Sequence, residues 1–235
     1  AIVTEKDMNR RHQDLMAYTT LYLEEEIRAE ALTKNIPRFS SFLKLAALES
    51  GTSPNFSKIA SAIGTTPPTV TTYYHILEDT LTTFLLPPFG TKRSQVIKSP
   101  KYYFFDTGVR NSAAQVYHSE GILTLQKGIL FEHFIINELR VHCPSDVRLS
   151  YWRTKQGDEV DVILEQGKKR VALEIKYTEH PQKDDLKGLL AFKKIHDVHQ
   201  SIIVCNIKNK ALHDGLLYLP WQELRNFLIH EFQDR

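Results

Sequence analysis

Residues 151–177 constrain the fold more than any other part of the chain. Two apolar-polar runs, YWRTKQGDEVDVILEQ and KKRVALEIKYT, flank Gly167-Lys168 and read as two strands of a hairpin. Glycine at the first central position fits a type II′ turn, and a two-residue loop fixes the strand register. In that register Asp161 lies directly opposite Glu174, and Lys176 shares their face. Opposite residues bring their Cβ atoms to about 5 Å, so two carboxylates there repel unless a cation or a proton lies between them. A hard divalent ion such as Mg²⁺ or Mn²⁺ suits carboxylate and water oxygens. A lysine beside it can position water and stabilise charge on a phosphate. The backbone carbonyl of Ile175 is a further candidate ligand. The same register also places Lys176 opposite Glu159, where it would make an ordinary cross-strand ion pair. On the other face Val171, Leu173 and Ile175 are expected to alternate cleanly against a core.

The segment GILFEHFIINELRVHC reads as a helix that is apolar over most of its circumference. Glu132 has Gly128, Ile129, Ile135 and Ile136 as helical neighbours, so it is expected to be enclosed and to need a partner. A metal shared with Asp161 and Glu174 is one choice; a backbone amide or an arginine is another. Glu138 is the alternative helix carboxylate. Beyond the hairpin, PQKDDLKGLLAFKKIHD reads as an amphipathic helix, QSIIVCNI as a buried strand, LLYLP as a short strand and WQELRNFLIHEF as a final helix. Residues 128–235 are therefore expected to form an α/β domain around a mixed sheet.

The first half is different. Residues 1–36 read as a helical segment whose face carries Leu15, Tyr18 and Tyr22. In residues 37–110 three short helices follow: one with Phe39, Phe42, Leu43, Ala46 and Ala47 on a single face, one closed by Gly64, and one opened by Thr66-Pro67 with Val70, Tyr74 and Leu77 inward. TTFLLPPF and KYYFFD would form a wing, with Pro87-Pro88 keeping the first strand short or on an edge. This is a helix-turn-helix pattern of winged-helix type. Residues 111–127 read as a connector. A base-reading helix usually offers Arg, Lys, Asn or Gln. Residues 67–80 offer Thr69, Thr71, Thr72, His75, Glu78 and Asp79 instead, so packing or protein contact is the better reading there. Residues 91–110 carry Lys92, Arg93, Lys98, Lys101 and Arg110 against Asp106 alone. That stretch is either a solvated loop or a phosphate-facing wing. Arg153, Lys155 and Gln156 either touch phosphate or make a solvated turn.

The net charge of +2 over 235 residues is weak for a tight DNA binder. No run approaches the ~18 consecutive apolar residues of a membrane span, and residues 1–13 lack a signal-peptide core. The two cysteines, Cys143 and Cys205, form no C-x-x-C pair, so a reducing, cytoplasmic setting is expected. His196 and His199 are too few to argue for zinc and read as a helix end. No G-x-x-x-x-G-K-[ST] is present, so no nucleotide site is expected in this chain. The chain starts at Ala1, and an upstream domain is expected to be missing.

Helix Glu132, strand Asp161 and the string Glu174-Ile-Lys176 resemble the PD-(D/E)xK nuclease superfamily. Longer strings, including PPTVTTYYHILEDT, KSPKYYFFDTGVRN, GILFEHFIINEL, YWRTKQGDEVDVILE and ALEIKYT, resemble the C-terminal region, often labelled DUF4143, of a bacterial and archaeal AAA+-type ATPase family. The resemblance covers nearly the whole chain. It implies an α/β (α+β overall) protein with a winged-helix-like part, a restriction-endonuclease-like domain and a P-loop ATPase partner domain upstream. It carries the site onto Glu132, Asp161, Glu174 and Lys176. The expected function is Mg²⁺-dependent phosphodiester cleavage of DNA. The alternative is a non-catalytic regulatory or interaction module of a larger ATPase.

Overall fold

The computed structural model describes residues 7–19, 25, 35–90, 99–116 and 125–232. The chain divides into two units, Ala1–Leu85 with Lys101–Leu125 and Leu86–Pro100 with Gln126–Arg235.

The first unit is built on helices α1 (Met8–Ala17), α2 (Ile36–Leu48), α3 (Phe56–Ala62), α4 (Pro67–Asp79) and α5 (Thr107–Ala113). Their starts are written in the sequence. Asn35 and Asn55 accept from the backbone N–H of Arg38 and Lys58, each at 3.0 Å, and Pro67 opens α4 behind Thr66. The expected inward residues of α2 and α4 are all buried. Leu15 of α1 joins the same core, so the N-terminal helix is part of this unit. Strands β1 (Thr83–Leu86) and β2 (Lys101–Phe104) form a two-stranded sheet, and Tyr102 of β2 also bridges Thr52.

Helix α5 runs across the boundary drawn at residue 111, where a connector was expected. Asp106 caps it by accepting from Val109 N–H at 2.8 Å. Arg110 on this helix is buried rather than part of an open basic stretch. Its guanidinium donates to the carbonyls of Ala47 at 2.8 Å and Leu48 at 3.5 Å, and to Asn111 Oδ1 at 2.9 Å. It therefore satisfies carbonyls at the end of α2 that the helix itself cannot. Burial pulls the guanidinium below its ordinary pKa, but arginine stays charged.

The second unit holds a six-stranded mixed sheet. Its elements are α6 (Lys127–His142), β3 (Arg148–Arg153), β4 (Glu159–Gln166), β5 (Lys169–Ile175), α7 (Lys187–Ile195), β6 (Gln200–Cys205), β7 (Ala211–His213), β8 (Leu216–Pro220) and α8 (Leu224–Phe232). The strand order is β3-β4-β5-β6-β8-β7, antiparallel at β3-β4-β5, parallel at β5-β6-β8 and antiparallel at β8-β7. Pro87 and Phe89 lie along the outer edge of β3: Tyr151 N–H donates to Pro87 at 2.9 Å and Phe89 N–H donates to Tyr151 at 2.6 Å. An open strand edge is thereby covered.

β5 is buried on both faces from Val171 to Ile175. Ile163 and Ala172 face α7 in a core with Trp152, Leu189, Phe192 and Ile203. Val171 and Leu173 face the other way. The expected alternation was too simple, because a strand paired on both sides in a layered α/β unit loses its solvent face.

Candidate functional site

The hairpin register is the one the turn dictates. Gln166 pairs with Lys169 and Val162 with Leu173, and Gly167 has φ 60° as the turn requires. The ladder stops one step before Asp161 and Glu174. There the Asp161 carboxylate takes over from the backbone: its Oδ2 accepts the Ile175 N–H at 2.8 Å. Asp161 and Glu174 are both buried, 7% and 6% exposed. The face they share is the one covered by α7, and the turn before α7 brings Asp185 close enough to act on Lys176.

Lys176 does not pair with Glu159, which instead meets Arg153 at 3.4 Å. The Lys176 ammonium lies 2.7 Å from Glu174 Oε1. The second oxygen of that carboxylate, Oε2, is buried and has no hydrogen-bond partner among the described residues. A buried acceptor without a partner is costly, so this oxygen is the place where a proton or a cation has most to gain. The Glu174 carboxyl is pushed up to about 7, chiefly by burial, with Lys176 acting to lower it and Glu132 and Glu159 to raise it. For Lys176, burial works against the charged form, but Glu174, Asp161 and Asp185 outweigh it and hold the ammonium above the ordinary lysine range.

Glu132 needs correcting. It is half-buried, and its neighbours Gly128 and Ile129 are exposed, so the enclosure expected for it is absent. Helix α6 has its apolar stripe at Phe131, Ile135, Ile136 and Leu139, one face rather than most of the circumference. Glu132 still acts on Glu174 through its charge. Glu138 pairs with His142 at 3.3 Å. Among the described residues no three His, Cys, Asp or Glu side chains converge as metal ligands. Asp161 and Glu174 with the spare Oε2 remain a donor set that fits Mg²⁺, which is commonly held by one or two carboxylates with water and substrate phosphate. Ile175, expected to offer its carbonyl, contributes its N–H to Asp161.

Gly188 sets how closely α7 approaches β4. A Cβ on this residue would lie 1.6 Å from the Glu159 carbonyl oxygen, so the first turn of α7 rests directly on the start of β4. Lys155 is exposed in the 154–158 turn between β3 and β4, and Arg153 is half-exposed and paired. Lys101 starts β2 and is 5% exposed, which removes it from the surface set expected to meet phosphate. Lys92, Arg93 and Lys98 lie outside the described residues.

On α4 the hydroxyls are spent locally. Thr71 and Thr72 donate to the carbonyls of Pro67 and Pro68, and Thr66 meets Thr69. His196 caps α7 and packs against Phe192, with ring centroids 4.5 Å apart, while His199 approaches Glu231 at 3.2 Å, so the two do not form a metal pair. Burial pushes the Cys143 thiol up to about 12, which leaves it unreactive. No helix among the described residues is long and apolar enough to cross a membrane. Sequence reasoning missed the Asp161 bridge to Ile175 and the role of Arg110; neither has a local motif.

No curated protein matches the chain. Residues 127–224 match the domain described as "Domain of unknown function (DUF4143)", so the second unit carries that domain. Residues 1–120, more than half of the chain, match "Domain of unknown function (DUF8612)", and the protein belongs to that family.

Proposed function

We propose that the second unit is a restriction-endonuclease-like, Mg²⁺-dependent phosphodiesterase domain acting on DNA, joined to a winged-helix-like first unit. One observation carries this reading: Glu174, on the sheet face it shares with Asp161, keeps a buried oxygen with no partner among the described residues while Lys176 holds its other oxygen. Asp161 and Glu174 would hold the ion. When bound, it would act as Lewis acid and template for the phosphodiester. Asp161 keeps the end of β5 in place through the Ile175 N–H. Lys176, one third exposed, is the group able to reach an incoming phosphate or its attacking water. Glu132 adds negative charge at the edge of the site and favours a cation there.

A second reading has its own support. Lys176 already neutralises Glu174, no acidic trio converges among the described residues, and Thr71 and Thr72 of α4 donate to carbonyls of their own helix. These features favour a non-catalytic regulatory module of a larger AAA+-type ATPase. Plasmid nicking with Mn²⁺ or Mg²⁺ separates the two. Activity that disappears in Glu174→Ala supports the nuclease reading; a variant that cuts as well as the parent, or a parent that never cuts, favours the module.

A further inference from the structure

We propose that Lys176 is the built-in counter-ion of this site, and that a divalent cation reaches Glu174 only by driving the Lys176 ammonium off it. The inference rests on the metal-site reading above and adds a coupling that reading does not contain: loading the site and freeing the lysine are one event.

Three observations carry it. First, Glu174 Oε1 is occupied by the ammonium at 2.7 Å, and Oε2 of the same carboxylate is buried without a partner among the described residues. An ion on Oε2 would share one carboxyl group with a positive charge, and the two cations repel. Second, the two partners differ in freedom. The Glu174 side chain is 8% exposed and the Lys176 side chain 34% exposed. The carboxylate is fixed on a central strand, whereas the ammonium ends a flexible stem with a way out to solvent. The lysine is the partner that moves. Third, the ammonium is the cation this carboxylate already holds, and no three His, Cys, Asp or Glu side chains converge as metal ligands among the described residues. Asp185 sits in the turn before α7, where its Oδ2 accepts the Gln182 N–H at 2.8 Å. It offers the displaced ammonium an acidic neighbour on the way out.

Mn²⁺ affinity, measured by titration calorimetry at pH 8 on the whole chain, tests this. Lys176→Met keeps the stem and removes the charge, and should tighten Mn²⁺ binding by about tenfold or more, within the usual range of coupling between two sites. Lys168→Met, at the hairpin tip, should bind as the parent does. In the parent, added Mn²⁺ should raise labelling of Lys176 by an amine-reactive ester, read by peptide mass spectrometry; this needs no variant to fold. Equal or weaker Mn²⁺ binding by Lys176→Met, or labelling that does not rise, overturns the displacement while leaving the metal site standing. Failure of parent and variant alike to bind Mn²⁺ overturns the metal-site reading and this inference with it.

Discussion

Arg110 in the first unit and Glu174 in the second are both charged groups taken out of water, and they are treated in opposite ways. The Arg110 guanidinium donates to two carbonyls of α2 and to Asn111. The Glu174 carboxylate has one oxygen on Lys176 and the other on no donor among the described residues. A buried charge whose hydrogen bonds are made holds structure together. A buried charge left half-satisfied costs stability, and proteins carry such costs where chemistry or binding offsets them.

The contrast can be broken at Arg110 first. Arg110→Ala removes the guanidinium from the carbonyls of Leu48 and Ala47, leaving Ala47 with the long Ser50 N–H contact of 3.4 Å, and should cost about 3 kcal/mol, seen as a lower urea midpoint at unchanged slope. A loss below ~1 kcal/mol would show that water replaces the guanidinium and that its hydrogen bonds are not structural.

Glu174 should behave in the reverse sense. Its folded pKa is raised from 4.5 to about 7, so the folded state holds the proton more tightly than the unfolded chain. The resulting stability is fully present below pH ~4.5 and is lost as pH rises through about 7, a fall of at most about 3 kcal/mol. Urea midpoints at pH 5 and pH 8 should differ in the parent, and Glu174→Gln should narrow the difference. An unchanged difference in that variant would assign the pH dependence to other groups.

Asp161 lies between these extremes, with one oxygen on a backbone N–H. Asp161→Ala should cost about 1–2 kcal/mol, and Asp161→Asn about half of that, because the amide oxygen still accepts from Ile175. Equal costs for both would mean that the charge, not the hydrogen bond, is what β5 needs. The smallest effect is expected on α4. Thr72→Ala should change stability by no more than ~0.5 kcal/mol and leave duplex binding untouched in a mobility-shift assay. A clear loss of binding there would restore α4 as a DNA-reading helix.

The same contrast explains what could be read from residue order. The β4-β5 register was legible because it is local: Gly167 fixes the turn and every pair from Val162–Leu173 down to Gln166–Lys169 follows. The faces of α2 and α4 were legible because periodicity within a helix is local too. Partners distant in sequence were not. Arg110 meets Ala47 across 63 residues, and nothing near either residue announces it. Glu132 was judged from four helical neighbours, of which Ile135 and Ile136 are buried but Gly128 and Ile129 are exposed, since a helix wheel does not say which side the sheet covers. Lys176 was set against Glu159 by register, but a long side chain chooses the strongest charge within reach, and that was Glu174, two residues back.

The contact at Gly188 has a consequence of its own. With no space between this α-carbon and the Glu159 carbonyl, the helix can neither slide along the strand nor roll upon it. Here the helix and the strand meet main chain against main chain. Adjustment at this contact is confined to the fast, small motions of the side chains around it, and the domain has no hinge there.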